Sequence, residues 1–362
     1  MKINENERMT AKERVLAVLA REIPDRVPID YSSNPGIHSR LKDYFKLKPE
    51  ENDQLLDLLG VDFRSVGAPY IGPRLHAEIP GISIDPASGM RSRWINHASG
   101  GYWEICDYPL KDADEETAAA WPVPSADDFN YASLIETCEK YSKYALSIGG
   151  PPDIINNTGR LRTMEQVLVD LATDDPAGLM IIDKRLKYEL EVMYRSLEAG
   201  RGKIDFLFLG EDLGTQRGQL ISLELFRRHI KPRIKKFVDL GKAFNLPVMM
   251  HSCGSSSWAF NDLIEIGICA VDTLQPEAKD MEPAYLKSHF GDRLVFHGCI
   301  STAGPVVFGT ELDVIRNVKE VLEIMMPCGG YCFSPTHALQ DNSPVENVAA
   351  MYRAAHQYGW YR

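Results

Sequence analysis

Eight short apolar runs punctuate this chain, at residues 26–30, 61–66, 145–149, 205–210, 247–252, 270–275, 294–298 and 330–334. Between most of them lie longer stretches whose apolar residues recur three and four apart, the spacing of one helix face. The stretch holding Leu225, Phe226, Ile230, Ile234, Phe237 and Val238 is one example, and residues 312–325 are another. Strands that alternate with helices require right-handed crossovers and a parallel sheet. Eight such units predict a (β/α)8 barrel. The competing architecture, a doubly wound open sheet, would carry a glycine-rich turn after its first strand. Here that strand runs into Asp30-Tyr31-Ser32-Ser33-Asn34-Pro35, which has no such turn.

Residues 70–110 break the alternation. Ile82-Ser83-Ile84-Asp85, a Pro-Ala-Ser-Gly turn, residues 90–95 and then Tyr102-Trp103-Glu104-Ile105 read as hairpins. We expect a β-hairpin insertion on a barrel loop, positioned as a lid over the mouth. No repeat, low-complexity tract or linker interrupts the rest, so residues 1–362 are expected to form a single domain.

Composition excludes more than it identifies. A chain of 362 residues buries roughly three-quarters of its unfolded surface and needs neither a disulfide nor a metal merely to fold. Its net charge of −11, with acids scattered along the sequence, argues against nucleic acid as a partner. The first residues are too polar for a signal peptide, and no run approaches the roughly 18 apolar residues that span a bilayer. The seven cysteines are an odd number without paired spacing. We read them as reduced thiols of a soluble, cytoplasmic protein.

In a parallel barrel the chemistry sits where the strands end. The ends here carry Glu211 and Asp212, His251 and Cys253, Gln275 and Glu277, His297 and Cys299, and His337. Side chains two apart in an extended segment share a side, so His251 and Cys253 form an imidazole–thiol pair suited to zinc. The bland reading is that a lone His-x-Cys arises by chance and a buried Cys packs as a small hydrophobe. A catalytic zinc site needs a third protein ligand; His337 leads, with Cys299, Cys328 and Cys332 as alternatives. Cys106, Cys138 and Cys269 lie within strand or helix patterns and read as packing residues.

Adjacent Glu211 and Asp212 should point to opposite sides. One is expected to face the mouth as general base or substrate anchor, the other to cap the next turn or pair with a base. His297 is either a ligand contact or a satisfied core imidazole. Asn156-Asn157-Thr158-Gly159-Arg160 reads as a turn reaching toward the mouth, with Asn157 a candidate substrate contact alongside Gln216, Gln275 and Tyr331.

These residues carry a resemblance. Thr10-Ala11-Lys12-Glu13-Arg14-Val15, Pro24-Asp25-Arg26-Val27-Pro28, Glu211 to Gln216, His251-Ser252-Cys253-Gly254, Leu274 to Ala278, Phe296 to Thr302 and Gly329 to His337 follow in order. In these the chain resembles the uroporphyrinogen decarboxylase superfamily, nearly end to end, and especially its zinc-dependent cobalamin methyltransferase branch. That branch binds zinc through a His-x-Cys pair and a third ligand after the last strand. The resemblance thus implies His251 and Cys253 as ligands. It puts His337 of Pro335-Thr336-His337 where the best-known members have a cysteine, so that an imidazole replaces a thiolate. It implies methyl transfer between a small heteroatom substrate (a thiol, an amine or an O-methyl compound) and a corrinoid such as methylcobalamin, carried by a partner corrinoid protein. Glu211 or Asp212, with Gln216 and His297, would then orient the substrate or handle its proton. The alternatives are a cofactor-independent decarboxylase of the uroporphyrinogen type, or a non-catalytic binder of a corrinoid or small ligand. The decarboxylase branch also has a histidine at the position of His337, but its Arg-Gln-Ala-Gly-Arg motif is absent after Asp30.

Overall fold

The computed structural model describes residues 7–361. Its main sheet has seven parallel strands: β1 Phe63–Ser65, β2 Ala145–Pro152, β3 Phe206–Gly210, β4 Val248–Ser252, β5 Ala270–Thr273, β6 Val295–Ile300 and β7 Tyr331–Pro335. They are hydrogen-bonded in chain order. The remaining apolar run, 26–30, lies between the two edge strands. Phe333 of β7 donates to the Pro28 carbonyl at 2.8 Å, and Asp30 donates to the Phe333 carbonyl at 2.9 Å. On the other side Asp62, next to β1, donates to the Ile29 carbonyl at 2.8 Å. The run forms bridges rather than a full strand for a local reason. Pro28 has no N–H to give, and the Ile29 N–H goes to the Asp62 side chain at 2.8 Å. The result is an α/β fold with a curled parallel sheet, compatible with a (β/α)8 barrel.

The pleat sorts the core into two populations. Leu207, Val248, Met250, Val271, Phe296 and Phe333 pack outward against the helices. Phe63, Ala145, Phe206, Met249, Ala270, Val295 and Cys332 face inward, where Val15, Val18 and Leu19 of the helix Ala11–Leu19 meet them. That helix plugs the N-terminal end of the sheet. Fully burying one such aliphatic or aromatic side chain stabilises by about 1.5–3 kcal/mol. The plug is fastened by charge as well. Arg14 donates to Asp25 at 2.7 Å and to Asp62 at 2.6 Å, and Arg26 donates to Asp62 at 2.7 Å. Buried charges persist only when paired in this way, so the Lys-Glu-Arg and Pro-Asp-Arg segments are scaffold.

A separate antiparallel sheet joins Ser83–Ile84, Arg91–His97 and Gly100–Asp107. Arg40, on the helix Pro35–Tyr44, donates to the Ser99 carbonyl at 3.2 Å and to the Ser343 carbonyl at 3.0 Å. The hairpin tip therefore rests beside the segments that leave the C-terminal ends of the strands. Among the described residues no helix is long and apolar enough to cross a membrane, and all seven cysteines are free thiols.

Candidate active site

One step along the pleat from Met249, Ala270 and Val295, the inward-facing layer changes from apolar to ionisable. Register pairs Asp272 of β5 with His251 of β4 on one side and His297 of β6 on the other. The three side chains form one chain of contacts. An Asp272 oxygen lies 2.5 Å from His251 Nδ1, and its other oxygen lies 2.5 Å from His297 Nδ1. Thr273 Oγ1 donates to Asp272 at 3.1 Å and lies 2.7 Å from His251 Nδ1.

Burial by itself would raise the Asp272 carboxyl. The charge of His297 and the hydrogen bonds from both rings outweigh it and hold the group far below the usual carboxylate range. Burial would likewise lower His297, but the charge and hydrogen bond of Asp272, with Asp30 behind them, raise it to about 10. His251 is raised well above its ordinary value because its contacts with Asp272 and Cys253 exceed the same burial penalty.

With Nδ1 committed to Asp272, the His251 Nε2 is free to face the mouth. It lies 3.4 Å from Cys253 Sγ and 3.7 Å from an Asp212 oxygen. Asp212, His251 and Cys253 offer donor atoms that all lie within 4.8 Å of one another. Zinc bonds of about 2.0–2.3 Å set tetrahedral donors roughly 3.3–3.7 Å apart, so this carboxylate, imidazole and thiol fit a zinc ion in spacing and in chemistry.

Local backbone explains why the three meet. Gly254, in the left-handed region at φ 69°, approaches Gly214 so closely that a Cβ would fall 2.5 Å from the Gly214 carbonyl. Ser255 then donates to the Thr215 carbonyl at 2.8 Å. The loops after β3 and β4 are locked together, and the Cys253 N–H donates to Asp212 at 2.7 Å.

The adjacent acids separate as strand alternation requires. Asp212 joins the cluster and accepts from Asn156 at 2.8 Å. Glu211 is fully buried, accepting from the Ile154 and Ile155 N–H groups at 2.6 and 3.0 Å. It caps the helix Ile154–Arg162. Burial and the neighbouring Asp153 push its carboxyl up to about 8 against those two donors. Residues 156–160, expected as a turn, are therefore helical; the cap that starts the helix comes from a side chain 57 residues away in sequence.

The other expected residues scatter. Asn157 accepts from Arg160 on the helix surface at 3.1 Å, and it is Asn156 that reaches the cluster. Gln275 accepts from the Gly254 N–H at 2.7 Å and from Gln216 at 3.2 Å, bracing the loop beside Cys253. Tyr331 is fully buried, its hydroxyl donating to the Gly298 carbonyl at 2.8 Å. Cys299 and Cys332 are buried and Cys328 is exposed, all outside the metal-capable group. His337 is exposed and also outside that group, yet it lines the same cavity as His251. Sequence reasoning missed Asp272 and Asp30. An acid amid Ala270-Val271-Asp272-Thr273-Leu274, on the same side as Ala270, was the available signal.

The cavity measures about 430 Å³. His251, Asp272, His297, Asp30 and His337 line its polar wall, and Phe63, Phe206, Phe208 and Met249 its apolar wall.

Fold and site together define an α/β protein of the parallel-sheet class with a metal-capable cluster at the C-terminal strand ends. Residues 206–358, from β3 through the last helix, match the uroporphyrinogen decarboxylase (URO-D) family, the superfamily to which the sequence resemblance pointed. A methyltransferase from Methanosarcina mazei shares the fold over 97% of this chain and 99% of its own, at 18% identity and a TM-score of 0.65. Dispersin B overlaps 92% of this chain and 98% of its own at 10% identity and a TM-score of 0.40. The YdhT protein from Bacillus subtilis overlaps 99% and 91% at 10% identity and a TM-score of 0.39. No curated protein sequence matches the chain.

Proposed function

We propose that this protein is a zinc-dependent methyltransferase that moves a methyl group between a small heteroatom substrate and a corrinoid carried by a partner protein. The observation that carries the reading is the Asp212–His251–Cys253 cluster at the edge of the cavity. The URO-D match over the segment that supplies all three residues supports it, as does the fold shared with a methyltransferase. The free thiols fit a reducing, cytoplasmic setting.

His251 and Cys253 would hold the ion with Asp212, which stands where the resemblance puts His337. Zinc bound there would act as a Lewis acid, lowering the pKa of a substrate thiol, hydroxyl or amine and leaving a nucleophilic or polarised heteroatom. The chain's own residues prepare that position. Asp272 fixes the His251 ring so that Nε2 points outward, the role a carboxylate plays behind a metal-binding histidine. Asn156 and the Cys253 N–H fix both oxygens of Asp212. Phe208, tilted 50° to the His251 ring at 6.3 Å, forms the apolar wall beside it. His297 and His337 then face the substrate across the cavity, and the hairpin sheet lies at the rim as a lid.

Metal analysis of the purified protein and methyl transfer from methylcobalamin to a thiol test this directly. The wild type should hold one zinc per chain, and Cys253→Ala should lose both metal and transfer. Full zinc content in that variant, or transfer that survives chelation, would overturn the assignment.

A further inference from the structure

The cavity has a second polar pole, away from the metal-capable cluster. His297 is 4% exposed, and its Nδ1 is committed to Asp272. Its Nε2 has no hydrogen-bond partner among the described residues. An Asp30 oxygen lies 3.2 Å from that nitrogen without the alignment of a hydrogen bond. The other Asp30 oxygen accepts from the Tyr31 N–H at 2.7 Å. Leaving a buried polar atom without a hydrogen bond costs about 1–3 kcal/mol, and a visiting group that bridges the two would supply one.

The surroundings limit that visitor. Phe63 meets the His297 ring edge-on at 5.4 Å, and Phe206 and Met249 continue the apolar wall. Among the described residues Arg64 is the only guanidinium on the lining, and it is turned away. It donates to the Phe63 carbonyl at 2.8 Å and to Asp57 at 3.1 Å, and lies 3.7 Å over the Tyr144 ring. Among the described residues no lysine is on the lining. A carboxylate or sulfonate would meet the Asp30 carboxylate at close range, because the charge of His297 is already balanced by Asp272 and Asp30. An ammonium would pair with Asp30 but offer no lone pair to a His297 N–H. A methyl group would leave His297 Nε2 without a hydrogen bond.

We propose that Asp30 and His297 together read a hydroxyl group on the substrate: Asp30 accepts its proton and His297 Nε2 pairs with its oxygen. The preferred substrate is thus a small neutral molecule whose hydroxyl lies remote from the heteroatom that faces Asp212, His251 and Cys253. The two poles sit on β4 and β6, two strand spacings or roughly 10 Å apart, which sets a span of a few bonds between the two functional groups. The inference rests on the reading above only in taking cluster and cavity as one site.

Calorimetric titration of the zinc-loaded protein with three thiols of matched length tests it: 3-mercapto-1-propanol, 1-butanethiol and 3-mercaptopropionate. The hydroxyl thiol should bind about tenfold more tightly than butanethiol, and the carboxylate more weakly than either. His297 sits inside the buried triad, so Asp30→Ala, at a position 28% exposed, carries the mutational arm and should bring the hydroxyl preference to about one. A wild-type ratio near one, a preference that survives in Asp30→Ala, or tightest binding of the carboxylate would each overturn the proposal. All three probes share the thiol, so a common loss of affinity on chelation reports on the metal. The ratio between hydroxyl and methyl tails reports on Asp30 and His297, and the two readings fail separately.

Discussion

Asp272 engages His251 and His297 at once, with a carboxylate oxygen 2.5 Å from Nδ1 of each ring. The arrangement joins the metal-capable cluster on one side to the cavity wall at His297 on the other through a single buried acid. Replacing it should therefore disturb both. Asp272→Asn keeps the shape but can satisfy one ring as an acceptor while presenting an amide to the other. We expect zinc affinity to fall about 10- to 100-fold, measured by competition with a chromophoric chelator. Unchanged affinity would show that His251 is oriented by Thr273 and packing alone.

The third metal ligand is decided by comparing two alanine variants. Asp212→Ala should weaken zinc binding at least about 100-fold, whereas His337→Ala should change it by less than about threefold. The opposite order would return His337 to the ligand set and require its loop to close onto the cluster.

Glu211 is expected to matter for stability more than for chemistry. Both its oxygens accept from the first N–H groups of the helix Ile154–Arg162. Glu211→Ala leaves those donors buried and unpaired, at a cost of about 1–3 kcal/mol. Urea unfolding of the two proteins should show that difference, and an unaltered midpoint would mean the helix is capped otherwise.

Asp25 gives a dependence on acidity with a definite sign. Burial would raise its carboxyl, but the Arg14 hydrogen bond and the Arg8 and Met9 N–H groups lower it from 3.8 to about 2. A group depressed in the folded state stabilises fully above its unfolded pKa and loses that contribution as pH falls toward its folded value. The stability gap between wild type and Asp25→Asn should therefore be constant above about pH 5 and close progressively between about pH 4 and pH 2. Denaturant titrations across that range check it; a gap that widens on acidification would contradict the assignment.

Part of the candidate site's geometry is legible in the sequence because its signals are local. His251 and Cys253 share a face by strand alternation alone, and Glu211 and Asp212 part for the same reason. What could not be read was which distant groups each would meet. Asn156 rather than Asn157 reaches Asp212 because residues 154–162 are helical, and that helix begins where Glu211 caps it. Tyr331, a candidate substrate contact in the sequence, opens β7 at the end away from the cavity, and the pleat turns it outward into the core.

The sequence by itself determined the alternation of strand and helix, the end of the sheet where reactive side chains collect, and the His251–Cys253 pair. Each depends on periodicities of two and 3.6 residues that are written into neighbouring positions. Only the tertiary structure decided that Asp212 and not His337 stands beside that pair, and that Asp272 ties His251 to His297. Those contacts depend on strand register and on loops pinned by Gly214 and Gly254, which are long-range relationships that no local pattern records.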